Sequence, residues 1–102
     1  MQINVDTVGN TTTIHLNGRF NFDSHREFRG AYDPHLSNTA VSALEIDLSN
    51  VEYLDSSALG MLLMLRERAQ AANKKLTLCK PSPSVAQILD IANFSRLFEI
   101  NA

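Results

Sequence analysis

The 102 residues predict a mixed α/β domain in which a small β-sheet is covered by helices, in the order β-β-α-β-α-β-α-β. Three observations carry this expectation. Apolar and polar residues alternate on both sides of Gly9-Asn10, Ala43 to Leu48 alternates again, and the apolar spacing elsewhere switches to the helical period. Strands separated by helices are most simply parallel, so the sheet is expected to be mixed.

Taken in order, Ile3 and Val5, with Val8 beyond them, alternate with polar residues up to the Gly9-Asn10 turn. Ile14 and Leu16 then share one face of a second strand, which completes a hairpin and is expected to end at Gly18. Ser24-His25-Arg26-Glu27 has the spacing of a capping box, so a helix is expected to start after Ser24. It spends Phe28, Ala31 and Tyr32 on the core until Asp33-Pro34 interrupts it. A polar connection through Asn38 leads to a third strand, Ala43 to Leu48, with Leu44, Ile46 and Leu48 facing inward. After Val51 and Tyr53-Leu54, helical periodicity through Leu59, Leu62, Leu63, Arg66 and Ala69 predicts a second helix from about Ser57 to Ala72, stopping at Asn73. Lys75 to Cys79 reads as a short strand. Pro81-Ser82-Pro83-Ser84 launches a third helix capped by Ser82 or Ser84, with Val85, Ile88, Leu89 and Ala92 at core spacing. Phe94, Leu97, Phe98 and Ile100 close the domain through a last short strand.

Composition narrows the function classes. A chain of this length buries roughly two thirds of its unfolded surface, enough for one core, so residues 1–102 are expected to form a single domain. Nine Lys and Arg against eleven Asp and Glu give a formal net charge of −2, so there is no basic excess for nucleic acid or an anionic membrane. Cys79, the one cysteine, has no partner for an internal disulfide, which suits a reducing cytoplasm. The N-terminus lacks the layout of a signal peptide, and the longest apolar stretch, Met61 to Leu65, is far too short to cross a membrane.

The informative segment is Asp55-Ser56-Ser57-Ala58-Leu59-Gly60, at a junction from strand to helix. The first N–H groups of a helix lack intrahelical partners, and its dipole makes the position locally positive. Either serine there can simply cap the helix. Alternatively, an exposed hydroxyl at this position is a favourable place to carry a phosphate, because the free donors offset part of the added charge. The residues alone leave both readings open.

The order of elements, Gly18, the acidic strand Leu44 to Leu48, and above all Tyr53-Leu54-Asp55-Ser56-Ser57-Ala58-Leu59-Gly60 resemble the bacterial anti-sigma factor antagonists, single-domain members of the STAS family. The resemblance covers essentially the whole chain and implies the STAS fold. It implies phosphorylation of Ser56 by a partner serine kinase, with Ser57 as the less favoured acceptor and the residue better placed to cap the helix. It also implies a partner-binding surface formed by Asn21, Asp23, Asp55, Ser57, Ala58 and Gly60. The family commonly has aspartate where this chain has Asn21, an amide of similar shape without the charge; Asp23 is the nearby carboxylate that would replace it. The implied function is a non-enzymatic partner switch in the cytoplasm, monomeric when free. Unphosphorylated, it binds an anti-sigma factor with a GHKL-type kinase fold and so releases a sigma factor; phosphorylation reverses this, and a PP2C-type phosphatase resets it. ATP and Mg²⁺ or Mn²⁺ belong to those partners, so no cofactor is expected in this chain. The same resemblance admits a regulator of biofilm, motility or secretion, or a non-phosphorylated STAS-like subunit of a transport complex in which Ser56 is only a cap.

Other candidates carry less. His15 should face away from Ile14 and Leu16, and no metal-ligand spacing accompanies His15, His25 or His35. A serine hydrolase would need a histidine to reach Ser56, and the G-x-S-x-G elbow is absent. Four glycines, at 9, 18, 30 and 60, form no phosphate-binding loop, so the chain is not its own kinase. Met61 and Met64 are expected to pack, and Cys79 to be a buried small side chain. Phe20 and Phe22 are either core or an apolar docking patch beside the serine.

Overall fold

A computed structural model describes residues 1–102. Strands β1 (Gln2–Val8) and β2 (Thr11–Phe20) pair antiparallel around Gly9, whose φ of +62° is the left-handed conformation that the tight turn requires. Helix α1 (His25–Leu36) leads to β3 (Ala43–Leu54), α2 (Ser56–Ala71) to β4 (Lys75–Cys79), and α3 (Pro83–Ile91) to β5 (Glu99–Asn101). The strands lie in the order β1-β2-β3-β4-β5, and every pair after the first is parallel. Parallel neighbours need crossovers, and right-handed crossovers that advance in one direction put all their helices on the same face.

Burial follows from that layering. Ile14, Leu16, Leu44, Ile46, Leu48 and Leu78 point into the helical side and are buried. Phe28 and Tyr32 from α1, Leu62 and Leu65 from α2, and Val85 and Leu89 from α3 meet them in one core. Phe20, Phe28 and Tyr32 form a row, the first pair tilted and the second edge-to-face, with ring centroids 5.0 and 5.2 Å apart. Alternate residues of the same strands, Thr13, His15, Glu45, Asp47 and Cys79, are only half-buried on the open face.

Several local expectations are corrected. Gly18 does not end β2; with φ +108° it sits where the β2–β3 register slips, and the strand resumes to Phe20. Beyond the same irregularity β3 continues six residues past Leu48, burying Val51 and Leu54. The capping box at Ser24 and Glu27 does not form, because a 3₁₀ turn (Phe22–Ser24) precedes α1 and moves the cap upstream. There Asn21 Oδ1 accepts the Asp23 N–H at 3.0 Å, and Ser24 Oγ accepts the Asn21 N–H at 3.3 Å. Pro34 lies inside α1 rather than ending it; in the last turn its missing N–H costs one bond, and Ser37 Oγ closes the end onto the Pro34 carbonyl. Val5, paired with Ile14 on the helical face of the edge strand, and Val8, paired with Thr11 on the open face, are both exposed.

Candidate functional site

Helix α2 starts where β3 stops. Asp55 is extended (φ −102°, ψ −176°), and its carboxylate accepts the Ala58 N–H at 2.9 Å, so Asp55 caps the helix in place of Ser57. The reason is geometric: the cap must be the last non-helical residue, and β3 delivers Asp55 to that position. Its charge also complements the positive end of the helix. Ser56 is thereby left exposed at the first helical position, and Ser57, half-buried, at the second. Of the first-turn donors, the Leu59 N–H goes to the Asp55 carbonyl and the Ala58 N–H to its side chain. The N–H groups of Ser56 and Ser57 remain for an external acceptor.

Adjacent strands bring the other half of the site level with it. Phe20 pairs with Leu54, and the Asp55 N–H donates to the Phe20 carbonyl at 3.3 Å. Asn21 and Asp55 are therefore the first residues past the ends of neighbouring parallel strands, and each caps the helical segment that follows. Asn21 is half-buried and held by its own cap, whereas Asp23 is exposed on the next turn. Gly60 is exposed one helical turn beyond Ser56. Ala58 is fully buried and anchors the first turn of α2 to the core, so it presents no side chain to a partner.

Between the 3₁₀ turn and α2 lies a hollow of about 310 Å³ lined by Phe22, His25, Ser57, Gly60, Met61 and Met64. Phe20 is core, but Phe22 is 72% exposed, which separates the two readings of this aromatic pair. Met64, expected to pack, is 43% exposed here. The contributions of His25 and Met64 were missed at the level of sequence. Ser57, Gly60, Met61 and Met64 do recur at helical spacing, and that stripe was the available signal.

The open sheet face holds a different set. His15 Nδ1 and Asp47 Oδ2 are 2.7 Å apart in a cleft that Cys79 and Lys80 also line. Burial pushes the Asp47 carboxyl up, but hydrogen bonds from the Ser49 backbone and hydroxyl and from His15 outweigh it and hold the group below its ordinary value. Burial, with Glu45 and Asp47 nearby, raises the Cys79 thiol, which favours its unreactive protonated form. The strand of Asp47 lies between those of His15 and Cys79, so thiol and imidazole are about two strand spacings, roughly 10 Å, apart. No three of the His, Cys, Asp and Glu side chains are grouped to hold a metal ion. His25 lines the hollow beside Ser57, and His35 lies 3.4 Å from the Thr12 hydroxyl. No helix is long and apolar enough to cross a membrane.

Comparison with known proteins agrees with this architecture. STAS-domain containing protein PA14_20770 of Pseudomonas aeruginosa (strain UCBPP-PA14) is 45% identical over 95 residues, covering 91% of this chain and 90% of that one. An anti-sigma factor antagonist from Mycobacterium paratuberculosis superposes with a TM-score of 0.86 at 18% identity, over 98% of this chain and 84% of that one. SpoIIAA, an anti-sigma factor antagonist, matches in its unphosphorylated form with a TM-score of 0.74 at 18% identity, over 97% of this chain and 86% of that one. Its phosphorylated form, from Bacillus, matches with 0.75 at 17% identity, over 99% and 92%. The family model described as "Mlab, STAS domain" matches residues 3–99, and the chain belongs to the STAS domain family.

Proposed function

We propose that this chain is an anti-sigma factor antagonist that works as a phosphorylation-controlled partner switch, with Ser56 as the phosphoacceptor. The observation that carries this reading is the exposed Ser56 hydroxyl at the first turn of α2 while Asp55 performs the cap. A serine present only for capping would have to occupy the position that Asp55 holds. In the alternative reading, a subunit of a transport complex, Ser56 is only a cap, a position that Asp55 holds here.

The switch works by charge and desolvation. Unphosphorylated, the surface around Ser56, Ser57, Gly60 and the turn from Asn21 to Asp23 binds a partner that inhibits a sigma factor. Phosphorylation adds about −1.5 to −2 charges to a chain of net charge −2, nearly doubling it at one helix start. Two N–H groups there receive the phosphate, but the carboxylate of Asp55 opposes it. Each pair of like unit charges 4 Å apart costs about 1 kcal/mol even in water, and more once a partner excludes water. A penalty of about 3 to 4 kcal/mol lowers affinity roughly 100- to 1000-fold. Asn21 keeps its turn capped without adding a further negative charge. The likeness to SpoIIAA in both phosphorylation states, with TM-scores of 0.74 and 0.75, supports a switch that needs no change of fold. The chain itself is non-catalytic and holds no cofactor; ATP and the divalent metal act in a partner kinase of the GHKL type and a PP2C-type phosphatase, in the cytoplasm.

Intact mass with and without phosphatase treatment, combined with peptide mapping, tests the site: an 80 Da shift on Ser56 is expected. Ser56→Ala should retain the partner in a pull-down and Ser56→Asp should lose it. Equal retention by the two variants overturns the switch.

A further inference from the structure

We propose that the hollow between Phe22 and Met64 is the anchor slot for one uncharged apolar side chain, of leucine to phenylalanine size, carried by the protein partner that docks at Ser56. The proposal rests on the partner-switch reading and adds the chemistry by which the partner is held. Its volume of about 310 Å³ admits a large side chain, and its wall residues Phe22 and Met64 are an aromatic and a thioether left in water at 72% and 43% exposure. An aromatic and a thioether facing one hollow form an apolar recess in which a partner side chain can be desolvated, as the anchors that dominate interface energetics are. Met61 and Met64 adapt to the shape of what enters.

Two features of the chain have no use inside it and are explained by an occupant. First, Phe22 is held out on a braced turn: Ser24 Oγ accepts the Asn21 N–H and donates to the Arg19 carbonyl, and Asn21 caps from the other side. Little ordering is left to pay when a partner covers the ring. Second, Gly60 sits in mid-helix, where glycine is unfavourable, with no positive φ to justify it; a Cβ there would meet nothing within 4 Å. The missing side chain keeps open the hollow that Gly60 lines. Charge specifies the occupant further. The lining holds no Asp, Glu, Lys or Arg, so an uncharged tip matches it. Asp23 adjoins Phe22 in the chain, so a carboxylate set against the aromatic wall is disfavoured.

The test is an NMR titration of the labelled full chain with N-acetyl-leucine methylamide, and with N-acetyl-glutamate methylamide as the charged counterpart. The leucine probe is expected to move the Gly60 amide and the Met61 and Met64 methyl signals along a saturating curve, and the glutamate probe to leave them in place. Gly60→Leu fills the slot while leaving the helix intact and should abolish the shifts; Phe22→Ala should weaken the probe at least fivefold. No saturable shift with the leucine probe, equal shifts with both, or Met64 broadening with dimer formation in the unliganded chain, which would assign the slot to a second copy, each overturns the proposal. Partner retention separates the two readings. If Ser56→Ala and Ser56→Asp behave as a switch while folded Gly60→Leu keeps wild-type affinity, the anchor falls alone. If Gly60→Leu loses the partner at least 30-fold while the two Ser56 variants bind alike, the anchor stands and the switch falls.

Discussion

The backbone N–H of Asp55 donates to the carbonyl of Phe20 across 3.3 Å, tying the residue that caps α2 to the last inward residue of β2. This one bond extends the β2–β3 ladder to its final rung. The exposed serine that follows Asp55 and the exposed aromatic Phe22, two residues past Phe20, therefore share one end of the sheet. A surface assembled from Phe22 and Ser56, 34 residues apart in the chain, is held by sheet register rather than by local sequence.

The cap can be weighed directly. Asp55→Ala removes the acceptor of the Ala58 N–H and is expected to cost about 1 kcal/mol in urea denaturation. Asp55→Asn should restore most of it, because asparagine caps nearly as well without the charge. An alanine variant as stable as wild type would show that the carboxylate does not cap α2.

Ser56→Ala should change stability by no more than about 0.5 kcal/mol, since the side chain is exposed and performs no cap. Thermal unfolding of the two proteins side by side decides this. A loss of about 1 kcal/mol or more would return Ser56 to a structural role.

Replacing Gly60 by alanine should stabilise the chain by about 0.5 to 1 kcal/mol, because a helical glycine is exchanged for the best helix former with nothing in the way of its Cβ. The urea midpoint should rise at an unchanged slope. A destabilised Gly60→Ala protein would reveal an internal packing demand on that position.

Asp47 supplies the pH dependence. Its carboxyl is held below the ordinary value of 3.8, so the folded state resists protonation that the unfolded state accepts. The stability it contributes is fully present above the unfolded value and is lost as pH falls through the lower folded value. Asp47→Asn should therefore be less stable than wild type at pH 7, with the gap closing below about pH 4. Chemical denaturation at pH 7, 5 and 3.5 checks the sign; a gap that widens on acidification would refute it.

Much of the fold was legible because its signals are local. Alternation at Ile14, Leu16, Leu44, Ile46 and Leu48 placed the inward faces of two strands, and Lys75–Cys79 was found with its observed ends. Asn73 stops the second helix in the left-handed conformation expected after its last turn, and Ser82 caps the third. The Asp55-Ser56-Ser57 run marked a helix start, and family resemblance singled out Ser56.

What the chain order could not decide is which residue stands at which edge. Phe20 and Phe22 are chemically identical, yet one is sealed in the core and the other lies in solvent, because β2 ends between them. Asp55 rather than Ser57 became the cap because β3 runs on to Leu54 past an irregularity that no local pattern encodes. Met64 has the composition of a core residue and was left exposed because the 3₁₀ turn stops short of covering it. By itself the sequence determined the elements, their inward faces and the serine-bearing helix start, since period and capping chemistry act over a few residues. Only the tertiary structure decided which apolar side chains remain in water beside that serine, since burial depends on neighbours that arrive from elsewhere in the chain.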